Sequence, residues 1–423
     1  MAKNKGPVVL ARPEHPLSRS LVDPDVLWVL RKLRSEGFLA YIVGGAVRDI
    51  LLGREPKDFD VGTDARPSQL KRIFRNSRLI GRRFRIAHIY FRKKGEADKI
   101  VEVTTFRGTA QLNGEEEIHP EDADHTGAVF GTPEDDAARR DFTVNALFYD
   151  SDNFTIVDYL GGLKDLKAKV IRLIGDPDER YAEDPVRMLR ALEFAVRLGF
   201  SIEEKTFEGI RKNAGLIATA SRARLREEMR QNKERSITGE VLRMAREAGL
   251  LAALYPKLGG DADLALHLVS WLDKRQVAGE NCEESAYLAA MALPALMEKC
   301  PLEPDAPLDR VSELSADIIT DIFSDYQYSA HLRHNARELL ISLYRICKGK
   351  RYRAKGRFTR KPEFAFALEL FGELAGRFEG FAAPYAYWKD LLGGKPSAEA
   401  GVRKKKRNRR RYRRPRPTGE AAS

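Results

Sequence analysis

Two aspartates one residue apart, Asp58 and Asp60, are the side chains best suited to hold a metal ion in this sequence. In Asp58-Phe59-Asp60-Val61 the two-residue alternation of an extended chain sends both carboxylates to one side and Phe59 with Val61 to the other. Such a pair can hold Mg²⁺. Upstream, the apolar run Tyr41 to Val43 reads as a buried strand ending in Gly44 and Gly45, where the missing Cβ atoms let backbone N–H groups approach an anion closely. From Ala46 to Leu52 the spacing predicts a short helix with Val47, Ile50 and Leu51 on one face, Arg48 turned elsewhere and Gly53 as its stop. A glycine pair alone is usually just a turn, and an Asp-x-Asp alone is usually a solvated loop or a cap. The order strand, glycine turn, helix, acidic strand is what points to metal-assisted phosphoryl chemistry.

The flanking elements must hold these groups in place. An amphipathic helix starts at Asp23-Pro24-Asp25, with Asp23 as N-cap, Val26, Val29, Leu30 and Leu33 as its apolar stripe and Gly37 as its end. Residues 1–20 read as an extended, flexible surface segment. After Asp60 a helix is predicted from Pro67 to Phe74, and then two strands around Gly81 between Arg78 and Phe91. Arg82, Arg83 and Arg85 in that turn fit either a solvated loop or a phosphate-handling loop. In Lys99 to Arg107, alternation puts Ile100, Glu102 and Thr104 on one face, so Glu102 either pairs with an arginine or joins the aspartates. Residues 111–126 are acidic and read as a mobile loop. Thr132 caps a helix with Pro133 at its first position. That helix runs into Arg139-Arg140-Asp141, where Asp141 by itself also reads as a plain N-cap. A strand from Ile156 and a second glycine pair, Gly161-Gly162, close this α+β region near residue 165. Beyond it helical periodicity dominates. There Asp184 can cap a helix that has Pro185 first, and Arg187 lies one turn on, over the same side, so that the two can present an acceptor and paired donors to a base edge.

Taken together, Gly44-Gly45 with Asp58-x-Asp60, Arg139-Arg140-Asp141 and Glu183-Asp184-x-x-Arg187 resemble the polymerase β-type nucleotidyltransferases. The likeness is to the class II tRNA nucleotidyltransferases (CCA-adding enzymes) and the bacterial poly(A) polymerases that share their head. It covers roughly residues 38–256. The resemblance implies an α+β nucleotidyltransferase head, a mixed sheet with flanking helices, over 21–165. It implies a helical neck and RNA-binding domain over 166–256, while helical periodicity predicts a helical body over 257–400 and composition a disordered basic tail over 401–423. It implies two Mg²⁺ ions on Asp58 and Asp60, Glu102 as a third catalytic carboxylate, and Asp141 beside the catalytic groups with Asn145 at the sugar. Gly44, Gly45, Arg48 and Arg140 would cradle the triphosphate of ATP, and Asp184, Arg187 and Arg190 would bind the nucleotide base.

Composition bounds the alternatives. The formal charge is +12, and residues 403–416 alone carry eleven positive charges, which leaves +1 for the rest. That run, with Arg403, Lys404, Lys405, Lys406, Arg407, Arg409, Arg410, Arg411, Arg413 and Arg414, has almost no apolar content and predicts sequence-independent attraction to RNA phosphates, a solubilising terminus being the alternative. Cys282, Cys300 and Cys347 have neither disulfide nor zinc spacing. No apolar run approaches the ~20 residues that span a bilayer, and the start has no secretory pattern. A monomeric bacterial cytoplasmic enzyme adding AMP from ATP to RNA 3′ ends is the expectation. The Gly81-Arg82-Arg83-Phe84-Arg85 stretch and the basic run favour poly(A) addition over CCA or A addition to tRNA, and a non-catalytic RNA-binding protein is the rival from another class.

Overall fold

The computed structural model describes residues 6–81, 85–92, 98–108 and 130–393. The expected acidic loop at 111–126, Arg82, Arg83 and the basic run at 403–416 lie outside the described residues. The chain divides into two compact units, Met1–Pro301 with Asp309–Ile341 and Leu302–Leu308 with Ser342–Ser423.

The first unit opens with β1 (Val8–Leu10), α1 (Pro24–Ser35), β2 (Ala40–Val43), α2 (Gly45–Leu51), β3 (Asp60–Thr63) and α3 (Pro67–Ile73). It continues through β4 (Ser77–Ile80), β5 (Ile86–Phe91), β6 (Lys99–Thr105), α4 (Pro133–Arg139), β7 (Leu147–Asp150) and β8 (Thr155–Asp158). These strands form one mixed sheet in the order β1-β8-β7-β2-β3-β6-β5-β4. Only β3 and β6 run parallel, and α3, β4 and β5 make the crossover that parallel pairing requires.

Local signals set most of these elements. Asp23 caps α1 by accepting from the Asp25 N–H at 2.9 Å, and Val26, Val29, Leu30 and Leu33 are all buried, each contributing roughly 1.5–3 kcal/mol. Thr132 caps α4 and Pro133 opens it. Two expectations change. Residues 1–20 do not all lie on the surface: Val8–Leu10 adds an edge strand to β8, and His15 and Leu17 are buried. β1 thereby pairs backbone groups of β8 that would otherwise form an open sheet edge. Asp58 does not share a strand with Asp60, because β3 begins at Asp60 and Asp58 sits in the loop before it.

From residue 162 the unit is helical: α5 (Gly162–Ala168), α6 (Pro177–Glu183), α7 (Val186–Leu198), α8 (Glu204–Asn213), α9 (Arg222–Glu234), α10 (Thr238–Glu247) and longer helices at Ala262–Val277 and Glu284–Lys299. One short parallel pair interrupts it, Val170–Ile171 with Ser201–Ile202. Asp158 ties the sheet to α5, its carboxylate accepting from the N–H groups of Leu160, Gly161, Gly162 and Leu163 at 2.9–3.1 Å. In the second unit the fully buried Trp388 packs on Phe358 and Phe364 and donates to the Ile346 carbonyl at 2.8 Å.

Candidate active site

The cleft is built at the ends of β2 and β3. Val43, last in β2, pairs with Asp60, first in β3, so the glycine turn that follows Val43 stands beside the Asp60 carboxylate. Gly44 has φ +74°, a conformation that side chains disfavour, and a Cβ there would lie 2.8 Å from Arg140 Nη1. Across the parallel pair Asp60 is in register with Glu102, and Glu102 in turn with His88. The three form a row on one face of the sheet, with His88 Nε2 3.4 Å from Glu102 Oε1. Ile100, Glu102 and Thr104 share a face of β6, as their alternation requires. Here Val101 and Val103 take the core side and leave Glu102 on the open side, 46% exposed.

Asp60, Glu102 and Thr104 line a cleft of about 280 Å³ together with Arg107, Asp136, Arg139 and Arg140. The surface of Asp60 is open to solvent, yet desolvation by the cleft walls pushes its carboxyl up to about 6, with Glu102 and then Asp58 adding to the rise against the pull of Arg140. Asp58 lines a neighbouring cavity of about 650 Å³ with Lys57, Phe59 and Lys99. Among the described residues no three His, Cys, Asp or Glu side chains form a ready metal cage. Mg²⁺ needs no such cage, since it is commonly bound by one or two carboxylates plus substrate phosphates, and the crowded oxygen donors at Asp60 suit a hard divalent cation.

Arg140 is aimed by its neighbours. Its Nε and Nη2 donate to Asp136 Oδ2 at 3.2 and 2.9 Å, Nη1 donates to the Asn145 carbonyl at 3.3 Å, and its guanidinium lies over the Phe148 ring. Arg107 and Arg139, which join it in the cleft, received no role from the sequence. Their neighbourhood depends on β6 and α4 meeting, and only the tandem Arg139-Arg140 hinted at it.

Arg48 is not in the cleft. It is 2% exposed, donates to Asn145 Oδ1, pairs with Asp49 at 2.7 Å and lies over the Phe194 ring of α7. The expected contact with a triphosphate is not offered by this geometry, because the Arg48 side chain is buried against Asn145, Asp49 and the Phe194 ring and does not line the cleft. Asn145 passes the contact on, donating from Nδ2 to Asp141 Oδ1 at 3.0 Å. Asp141 is neither a helix cap nor open to a ligand, because Oδ2 accepts from Arg190 Nε and Nη2 at 3.0 and 2.8 Å and Oδ1 also accepts from the Phe142 N–H. Burial would raise this carboxyl, and Arg190 with the hydrogen bonds outweighs it and holds the group below the usual range.

At the head of α7 the expected edge-to-edge contact of Asp184 with Arg187 does not form. Arg224 of α9 binds Asp184 with two hydrogen bonds of 2.8 Å, while Arg187 donates to Glu183 Oε2 and to the Arg180 carbonyl. Arg187 points back along α6 because Glu183, one turn earlier, offers the nearer carboxylate. Asp184 is also one position short of a conventional cap, since α7 starts at Val186, whose N–H it accepts at 3.3 Å. Arg85 is exposed at the foot of β5.

Residues 40–172, which span the whole cleft, match the family described as the Poly A polymerase head domain. Residues 199–259 match a second family, "Probable RNA and SrmB- binding site of polymerase A". The chain is 44% identical over 254 residues to Poly(A) polymerase I of Escherichia coli O6:H1, covering 59% of this chain and 54% of that protein. With Poly(A) polymerase I of Haemophilus influenzae it shares 46% over 238 residues, 55% of this chain and 52% of that one. With the CCA-adding enzyme of Geobacillus kaustophilus it shares 36% over 258 residues, 60% of each chain. The match thus spans about half the length of the poly(A) polymerases. The fold is similar to that of a solved tRNA-processing enzyme, with a TM-score of 0.60 at 24% identity over 87% of this chain and 96% of that one. Among the described residues no helix is long and apolar enough to cross a membrane.

Proposed function

We propose that this protein is a template-independent RNA nucleotidyltransferase that transfers AMP from ATP to RNA 3′ ends. The observation that carries the proposal is that Asp60 and Glu102 line the same cleft as Arg107, Arg139 and Arg140. The arginines would hold the triphosphate, Arg140 in the orientation that Asp136 imposes. The carboxylates would hold Mg²⁺, with Asp58 contributing from the adjoining loop. Bound there, Mg²⁺ would supply Lewis-acid activation of the attacking hydroxyl and neutralise charge on the leaving pyrophosphate. The Gly44 turn, free of any Cβ, keeps Arg140 against the phosphates. Asp184 and Arg187 would read the base edge, each sharing or exchanging its present partner, Arg224 or Glu183, with the base. Arg82, Arg83, Arg85 and the basic run at 403–416 would hold RNA without reading it.

Poly(A) addition is the first reading because the stronger identities are to proteins named poly(A) polymerase. Addition of CCA or A to tRNA is the second, supported by the 36% identity to a CCA-adding enzyme. The test offers ATP, CTP or both with Mg²⁺ to an unstructured RNA and to a tRNA lacking its 3′ end. Long A-tracts on the unstructured RNA support poly(A) polymerase activity; short additions confined to tRNA select the second reading. Asp60→Asn must abolish incorporation while leaving RNA affinity in place, and an active Asp60→Asn protein would remove the catalytic assignment.

A further inference from the structure

The net charge of +1 outside the C-terminal run conceals a strong local segregation. Between Arg345 and Lys361 the chain carries nine Lys or Arg residues and no Asp or Glu. This stretch belongs to the second unit and is folded. Phe358 within it is buried, with Tyr352, Phe364 and Trp388 around its ring at 4.9–5.6 Å. Arg351 pairs with Asp305 at 2.6 Å, Lys348 donates to the Pro304 and Ala306 carbonyls, Lys361 pairs with Glu363 and Lys355 lies over the Tyr387 ring. Arg345 lies over the Phe358 ring, which leaves Lys350, Arg353, Arg357 and Arg360, all exposed, with no hydrogen bond or ion pair from their side chains among the described residues.

We propose that this stretch is a folded cationic surface that binds the phosphate backbone of RNA, in addition to the basic run at 403–416. Four unpaired cations on so short a segment repel one another, and a polyanion relieves that repulsion while releasing its own counterions. Three of the four are arginines, whose planar fork suits phosphate oxygens. The exposed large hydrophobic side chains of this protein all lie outside the stretch, so it lacks the apolar centre that a protein interface would use. The packing of Phe358 and Trp388 holds the cations on a folded surface, which lowers the ordering cost of binding compared with an unfolded basic segment.

The inference rests on RNA as the substrate class but not on catalysis. Its test compares the full-length protein with the K350Q/R353Q/R357Q/R360Q variant, measuring fluorescence anisotropy of an unstructured RNA over a range of salt concentrations. Single-stranded contacts contribute about 0.7 each to the salt slope, so the slope should fall by about 3 and affinity at low salt by more than tenfold. ATP affinity and the melting temperature should stay unchanged. An R353K/R357K/R360K variant, which keeps every charge, should keep the slope; if the neutral variant fails to fold, the same measurement on each single Gln substitution should show a drop of about 0.7. An unchanged slope in the neutral variants overturns the proposal, including the case in which the surface binds an acidic protein. If no form of the protein incorporates nucleotide, the proposed enzymatic function fails while the slope still decides this surface.

Discussion

The two glycines that end β2 look alike in the sequence, and the structure predicts opposite outcomes when each becomes alanine. At Gly44 the backbone has φ +74° and ψ −127°, a region almost reserved for glycine, so an alanine costs on the order of 1–3 kcal/mol in backbone strain. Its Cβ would also stand 2.8 Å from Arg140 Nη1. Nη1 must yield, which disturbs its bond to the Asn145 carbonyl and, because the guanidinium is rigid, the charge-assisted bonds of Nε and Nη2 to Asp136, worth about 1.5–3 kcal/mol if lost entirely. The strain and part of that loss together give roughly 2–4 kcal/mol. At Gly45 φ is not positive, and a Cβ would meet only Arg48 Nη2 at 3.5 Å, an ordinary contact; replacing a helical glycine there should be neutral or stabilise by up to about 1 kcal/mol. Urea unfolding monitored by circular dichroism gives both stabilities, and titration with ATP reports whether Arg140 has moved from the cleft. Gly44→Ala should lose stability and bind ATP at least tenfold more weakly, whereas Gly45→Ala should lose no stability and leave ATP binding unchanged. Equal effects at the two positions, or a Gly44→Ala protein within about 0.5 kcal/mol of the parent, would refute the argument from backbone strain.

Two further predictions concern the helices behind the cleft. Arg190→Met leaves the Asp141 carboxylate buried without its cation, so urea unfolding should show a loss of about 3 kcal/mol, and a loss below about 1 kcal/mol would mean that Asp141 finds another partner. Asp273, buried on the helix Ala262–Val277, accepts from the Gly239 N–H at 2.7 Å and from the Tyr287 hydroxyl at 2.9 Å, yet burial outweighs both and pushes its carboxyl up to about 6. Because the folded value lies above the ordinary 3.8, folding holds the proton more tightly; stability falls as pH rises from about 4 through about 6, by at most ~3 kcal/mol. Asp273→Asn removes that group's share, so the stability of the variant relative to the parent should improve between pH 4.5 and 7, and a difference independent of pH would disprove the assignment.

What could be read from the sequence alone was whatever short-range chemistry decides. Asp23 and Thr132 cap their helices because a side-chain oxygen reaches an N–H two or three residues on. The apolar stripe of α1 is buried as its spacing requires, and the turn at Gly44-Gly45 ends β2 because a chain reversing there needs a residue without Cβ. Most strands and helices of the head followed from such signals, β1 and β7 excepted, and the motifs they carried pointed to the resemblance. Tertiary structure decided which charged groups meet. Nothing within a few residues of Asp60 specifies Glu102 as its neighbour; that follows from the parallel register of β3 with β6 across a long crossover. Arg48 and Asp141 looked like ligand contacts and became part of the packing between α2 and α7, since Phe194 and Arg190 arrive from far along the chain to cover them. Asp184 and Arg187 stand one helical turn apart, but Arg224 and Glu183 offered each a partner first. Electrostatic pairing depends on distance in space and not along the chain. The sequence therefore supplied the charged groups, and the fold determined which of them face the cleft.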